Sequence, residues 1–328
     1  MRVALIAQPY NVQGKGQGHG SGPEALIRAG IADRLTAQGH TVQGPATVTL
    51  TPDEEARYGG WNRVGMANGC LAGLVAAARL RPGGVEAGGS GVARDTRACD
   101  SVNAQPFVVA LGADCNSVLG ILGGLARSVE PEWPRRVGLV WIDAHADYNT
   151  PETSPSGMLG GMPVATACGK CLPRLRRASG LRVPLQAPDV LMVGLRDVDP
   201  PEQEAIKEDG IVTLTVDDLL QGEAGSDGSA WSPRLKWAMD RLCAREDVVY
   251  VHVDLDILDP TLAPAAGLPA PGGISGDQLG EGLRRLLSYP KVGALALVSY
   301  GAERDEDGRT LDQVMRAALG ATQGLTGR

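Results

Sequence analysis

Asp143-Ala144-His145-Ala146-Asp147 follows directly on the apolar run Val137–Ile142, Val-Gly-Leu-Val-Trp-Ile. A run of that composition is predicted to be a strand buried on both faces, as in a parallel sheet covered by helices. It stops at three metal-type ligands in alternate positions, which a continuing extended chain would set on one face. A second apolar run, 248–253, ends in Asp254-Leu255-Asp256 and then Ile257-Leu258-Asp259-Pro260. Two strands that each deliver carboxylates at their carboxyl ends can surround a pair of divalent cations, in the crevice where open α/β sheets place ligands. The plain alternative is that these aspartates cap helices or pair with arginine and lysine.

Working outward, strand signals alternate with helix signals along nearly the whole chain, the pattern of a parallel sheet. Strands are predicted at 3–7, 107–111, 190–194, 211–216 and 292–300, besides the two already named. Helices are predicted at 24–38, bracketed by Pro23 and Gly39, and at 62–80, 118–129, 233–245, 275–287 and 310–325. Asn116 or Ser117 is the expected cap of the helix at 118, and Asp199 that of a helix beginning at Pro200. The Gly-rich stretch 14–22 lacks the Gly-Lys-Ser/Thr ending of a phosphate loop and reads as an active-site loop carrying His19. Segments 83–105, 170–188 and 225–229 read as loops, the first as a surface insertion. The sum is one α/β domain over 1–328, with about eight mostly parallel strands, at least eight helices and no internal repeat.

Composition narrows the function. At 328 residues, with 43% apolar and 21% charged side chains, the chain can bury a sizeable core. A net charge of −7 argues against a nucleic-acid or anionic membrane partner. The N-terminal apolar run is too short for a signal peptide, and no stretch approaches the roughly 18 residues of a membrane span. Six cysteines scattered in such a chain fit reduced thiols in the cytoplasm, and Cys168-Gly-Lys-Cys171 is a lone pair read as incidental.

Three stretches together resemble the ureohydrolases, the arginase and agmatinase family. Asp143-Ala-His145-Ala-Asp147 is similar to the family's first ligand motif, and Asp254-Leu-Asp256-Ile-Leu-Asp259-Pro260 to its second. Gly112-Ala-Asp114-Cys115-Asn116 stands where the family has Gly-Gly-Asp-His-Ser. The resemblance covers nearly the whole chain and implies a three-layer α/β/α fold with two Mn²⁺ ions per chain. It implies that Asp143 and Asp254 bridge the ions, that Cys115 and Asp147 complete one and that His145 and Asp256 complete the other. Oxygen donors with imidazole suit Mn²⁺. Two ions a few ångströms apart lower the pKa of a shared water, which would attack a guanidinium carbon while Asp147 passes a proton to the departing amine.

Leu195-Arg196-Asp197-Val198-Asp199-Pro200-Pro201-Glu202 resembles the arginase stretch that gathers the substrate's α-amino group, with Asp199 and Glu202 as the acidic pair. Asn149 and Ser156 fall on positions that hold the α-carboxylate. Three positions depart from the family. Cys115 replaces a histidine ligand with a soft sulfur, poorly matched to Mn²⁺, so that ion is expected to bind weakly or to be another divalent metal. Gly160 stands where arginases keep a proton-relaying histidine. Ser299 stands where a glutamate pairs with the guanidinium, so a charged bidentate contact becomes a neutral hydrogen bond. His252, two residues before Asp254 on one strand face, reads as a partner of a ligand or as a packed core histidine.

The implied activity is hydrolysis of arginine or a modified arginine, such as N-hydroxyarginine or an arginine within a peptide, to an ornithine-type amine and urea or a urea derivative. Two alternatives stay open: an agmatinase- or guanidinobutyrase-type amidinohydrolase, and a catalytically impaired scaffold. The resemblance also implies a homo-oligomer, a trimer or hexamer.

Overall fold

The computed structural model describes residues 1–57, 59–80, 105–127, 134–220, 223–224 and 230–326. All but Gln105 of the 83–105 segment, the 225–229 loop and the end of the predicted 118–129 helix lie outside them. Eight strands form the main sheet: β1 (Arg2–Gln8), β2 (Thr41–Thr47), β3 (Phe107–Gly112), β4 (Val137–Ile142), β5 (Val190–Val193), β6 (Val212–Leu214), β7 (Val248–Asp254) and β8 (Val292–Val298). Their order is β2-β1-β3-β8-β7-β4-β5-β6, and every neighbouring pair is parallel.

The alternation of side chains along each strand divides the core into two layers. Val140 and Ile142 of β4, Val249, Val251 and Val253 of β7, and Leu295 and Leu297 of β8 face one layer. It is completed by the helices Gly22–Arg28, Ile31–Ala37, Pro233–Arg245, Gly276–Leu287 and Arg309–Thr322. Leu139 and Trp141 of β4 and Tyr250 of β7 face the other, under the helices Gly60–Leu80, Val118–Leu125, Pro163–Ala167 and Pro173–Ala178. Helix, sheet and helix are therefore stacked as the expected three layers.

Several local expectations change. Strand β2 was not foreseen, because it lies at the sheet's edge: five of its seven residues are exposed, and Pro45 is tolerated only where no ladder bond is needed. The 24–38 helix is two helices, broken where Gly30 takes φ 78°. Segment 170–188, read as loop, holds the helix Pro173–Ala178. The turn entering Val118–Leu125 is capped by Asp114, whose carboxylate accepts from the Asn116 amide at 3.0 Å, rather than by Asn116 or Ser117. The predicted strand 211–216 is shortened to β6 and followed by the helix Val216–Leu220.

What matters for function is adjacency. β3, β8, β7, β4 and β5 are consecutive in the sheet, so residues 115, 299, 254–256, 143–147 and 196–202 all emerge side by side at its carboxyl edge. β5 leaves that edge at Gly194, with φ +90°, its amide donating to Leu214 O at 2.9 Å. A Cβ there would lie 2.3 Å from Ile257 Cδ1. Gly194→Ala is expected to lower unfolding stability by about 1–3 kcal/mol through the left-handed backbone alone; an unchanged urea midpoint would show that the turn adapts freely.

Candidate metal centre and substrate cleft

The loop after β4 does not stay extended. Asp147 takes φ 49°, and the chain turns so that Asp143 Oδ1 accepts the His145 amide at 2.6 Å. Convergence of the three ligands thus comes from this turn, not from strand alternation as the spacing suggested. Asp254 repeats the device at the end of β7, accepting the Asp256 amide at 2.9 Å, while Asp256 accepts the Ala144 amide at 3.2 Å and ties the two loops together.

Donor atoms of Cys115, Asp143 and Asp147 lie within 4.8 Å of one another, as do those of Asp143, His145 and Asp256. The two groups share Asp143. Asp254 sits between them, with Oδ2 accepting from Cys115 Sγ at 2.9 Å and from the Ser299 hydroxyl at 2.5 Å. Asp143, Asp147, Asp254 and Asp256 are all buried. Among the described residues no lysine or arginine pairs with any of them. Their nearby cation is His145, with Nδ1 at 3.1 Å from Asp256 and 3.5 Å from Asp143. Arg196 is close, but its guanidinium donates to the backbone carbonyls of Asp256, Ala270 and Gly272.

Burial and mutual repulsion therefore push Asp143 and Asp147 well above the usual carboxylate range and Asp254 up to about 7. His145 is partly desolvated, yet its bonds to Asp143 and Asp256 raise it to about 11. The same imidazole holds Asp256 below its ordinary value despite burial. Four carboxylates carry four negative charges, and two divalent ions would balance them. The donor set, oxygen with one imidazole and one sulfur, fits such ions.

A cleft of about 760 Å³ opens over these residues. On one side stand Asn149, Ser156, Asp199 and Glu202. Asn149 Nδ2 donates to Asp199 Oδ2 at 2.9 Å, while Glu202 accepts the Tyr148 amide at 2.7 Å and the Asp199 amide at 3.1 Å. Ser156 is exposed at the rim, where its hydroxyl accepts the Met158 amide at 3.2 Å. On the other side His19 receives a hydrogen bond from Arg304 at 2.7 Å. Gly160 also lines the cleft, and a Cβ placed there would meet Met158 alone within 4 Å among the described residues.

The arginase family model matches residues 1–322. An arginase from Brevibacillus brevis is 30% identical over 83% of this chain and 81% of its own, and the mitochondrial arginase-2 of Bos taurus is 30% identical over 83% and 70%. The crystal structure of Entamoeba histolytica arginase in complex with L-ornithine superposes with a TM-score of 0.75 at 26% identity, covering 98% of this chain and 97% of that one. The chain belongs to the arginase family. Arginase-family members are hydrolases of amidine carbon–nitrogen bonds that depend on a binuclear metal site, and the eight-stranded parallel sheet here is the arginase fold.

All eleven residues singled out from the sequence line this arginase-family cleft. Four others were missed. Trp141 stacks on His252 with ring centroids 4.2 Å apart and donates its indole N–H to His145 O at 3.2 Å. Tyr250 reaches His252 Nδ1 at 2.6 Å. Gly267 abuts Asp254 and Asp256 so closely that a Cβ would lie 2.6 Å from Asp256 Oδ2. Arg304 stands at the rim. The apolar strand pattern marked Trp141 and Tyr250 only as core, and nothing local in the sequence singled out Gly267 or Arg304.

The shifts fix the sign of a pH effect on the metal-free protein. Asp143, Asp147 and Asp254 bind their protons more tightly folded than unfolded, so the folded state gains stability as pH falls through their raised values. His145, raised to about 11, contributes stability that is full below its unfolded value and fades as pH rises toward 11. His19, His40 and His252, held neutral by burial, oppose only near and below their unfolded values of about 6.5. Metal-stripped protein should therefore melt at a higher temperature at about pH 7 than at about pH 8.5; the reverse order would mean that these carboxylates are not crowded in solution.

Proposed function

We propose that this chain is a metal-dependent hydrolase of an α-amino acid carrying a guanidino group, arginine or a modified arginine, acting as a single domain over its whole length. The observation that carries this reading is that the Asn149–Asp199–Glu202 set and the six metal-type ligands face one cleft. An acidic pair with a neighbouring amide fits an ammonium beside a carboxylate, and a decarboxylated guanidine such as agmatine would bring only the amine to this set.

Cys115, Asp143, Asp147 and Asp254 would hold one ion, and Asp143, His145, Asp254 and Asp256 the other. When bound, the two ions supply Lewis acidity and a lowered pKa for a shared water. Asp147 stands on the cleft floor where a proton can be taken up and handed to the departing amine. Glu202, anchored by two backbone amides, and Asp199, held by Asn149, orient the substrate's amino end. Ser299 offers the guanidine a weaker contact than a carboxylate would, since its proton is committed to Asp254. That weakness, with glycine at 160, favours a guanidine of lower pKa such as N-hydroxyarginine or a substituted arginine, and release of a urea derivative. Mn²⁺ is the proposed ion at the His145 end, and a softer divalent metal is accommodated at Cys115. Among the described residues no helix is long and apolar enough to cross a membrane, and no disulfide joins the five described cysteines. These features support a reduced, cytoplasmic setting; assembly as a trimer or hexamer is proposed from the family alone.

Release of urea or hydroxyurea from arginine, N-hydroxyarginine, an arginyl peptide and agmatine tests the substrate. Amino-acid guanidines should exceed agmatine, with N-hydroxyarginine ahead of arginine. Turnover of agmatine alone would overturn the amino-acid reading, and turnover of free arginine alone the modified-guanidine one. Asp199→Asn should lower kcat/KM for amino-acid substrates roughly 10- to 100-fold, as loss of a charged hydrogen bond does. Cys115→His should bind the second Mn²⁺ more tightly in a calorimetric titration, and an unchanged affinity would place residue 115 outside the ligand set.

A further inference from the structure

We propose that His252 is a positioning residue for Cys115, donating its Nε2–H to the sulfur and so aiming it at the carboxylates. The inference rests on the reading of Cys115 as a ligand and goes beyond it by naming what makes a sulfur serviceable in an oxygen-rich site. His252 is buried without residual exposure, in the strand position two before Asp254, and points into the layer that holds Cys115. Its Nε2 lies 3.4 Å from Cys115 Sγ and its Nδ1 lies 2.6 Å from the Tyr250 hydroxyl. Both ring nitrogens are thereby used.

The directions of the hydrogen bonds follow from the neighbours. Cys115 Sγ lies 2.9 Å from Asp254 Oδ2, an acceptor, so the thiol proton points there and the sulfur presents a lone pair to His252. Nε2 must then carry the proton, Nδ1 must be bare, and Tyr250 O–H must donate to it. The chain runs one way: Tyr250 O–H to Nδ1, Nε2–H to Sγ, S–H to Asp254. Trp141 and Tyr250 leave the ring little freedom to turn. The indole stacks on it at 4.2 Å with planes 2° apart, and the phenol meets it edge-on at 5.7 Å. Because the Trp141 N–H also holds His145 O, one indole positions a partner of the sulfur end and the loop bearing the imidazole ligand. A cation at the sulfur would take the place of the thiol proton, and the Nε2–H would remain as a donor to the more negative sulfur.

The competing role for His252 is packing. His252→Phe separates the two, since it keeps a ring between Trp141 and Tyr250 and removes only the hydrogen bonds. The measurement is a Co²⁺ titration of the full chain, followed by the sulfur-to-cobalt charge-transfer absorption, with the melting temperature of the metal-free protein recorded alongside. His252→Phe should weaken the sulfur-side ion roughly 10- to 100-fold, the usual effect of losing a partner of a metal ligand, and dim or shift the band, while the other ion binds as before. Tyr250→Phe should move both readouts in the same direction by less. In a Cys115→Ala background, His252→Phe should add nothing. A folded His252→Phe protein with wild-type affinities and band would overturn the proposal. Should that variant not fold, Tyr250→Phe decides, and an unchanged band and affinity there would overturn it too. If Cys115→Ala alone leaves stoichiometry and spectrum intact, Cys115 is no ligand, and the proposal falls with that reading rather than through His252.

Discussion

Everything in this molecule is arranged around carboxylates that repel one another. Asp143, Asp147, Asp254 and Asp256 are buried side by side, donor atoms of Asp143 lie within 4.8 Å of those of Asp147 and of Asp256, and no arginine or lysine pairs with the four among the described residues. At such a separation two like charges cost about 3–4 kcal/mol in a medium of effective dielectric near 20. Protons or cations must relieve that repulsion. The backbone amides of Ala144, His145 and Asp256 all donate to oxygens of this cluster, an arrangement that suits anions better than protonated acids. Cations are then the relief for which the site is built.

The sheet makes the crowding possible. Five neighbouring parallel strands end on one edge, and the metal-type ligands stand in the turns directly at their ends, so the carboxylates inherit the rigidity of a core packed on both faces. The two non-glycine residues of these turns that adopt a left-handed backbone, Asp147 and Ser299, both lie in the cleft. Their strain is sustained by backbone hydrogen bonds from neighbouring segments: Ser299 O accepts the Gly267 amide at 2.7 Å, and Asp147 O accepts the Val164 and Ala165 amides. Gly267, held against Asp254 and Asp256, closes the space that a larger side chain would need.

Much of this could be read from the chain alone because burial on both faces writes a continuous apolar run, and a carboxylate directly after such a run has few structural uses. That is why the ends of β4 and β7 stood out, and why the acidic stretch 195–202 was found after β5. Edge strand β2 escaped because an exposed strand carrying Pro45 has no such run. The turn at Asp147 escaped because an alternate spacing of ligands is equally compatible with an extended chain and with a turn. The link between Cys115 and His252 spans 137 positions and depends on the registers of β3 beside β8 and of β8 beside β7, which no local pattern encodes. Sequence could name both residues as unusual; only the packed sheet brings the imidazole against the sulfur.

The clamp itself is tested most directly by the metal content of the purified chain after incubation with Mn²⁺ or Co²⁺ and removal of free ion. Two equivalents per chain are expected, falling to none when Asp143 and Asp254 are both replaced by asparagine. A folded wild-type chain that emerges without metal would contradict the claim that these carboxylates are held together to bind a pair of cations.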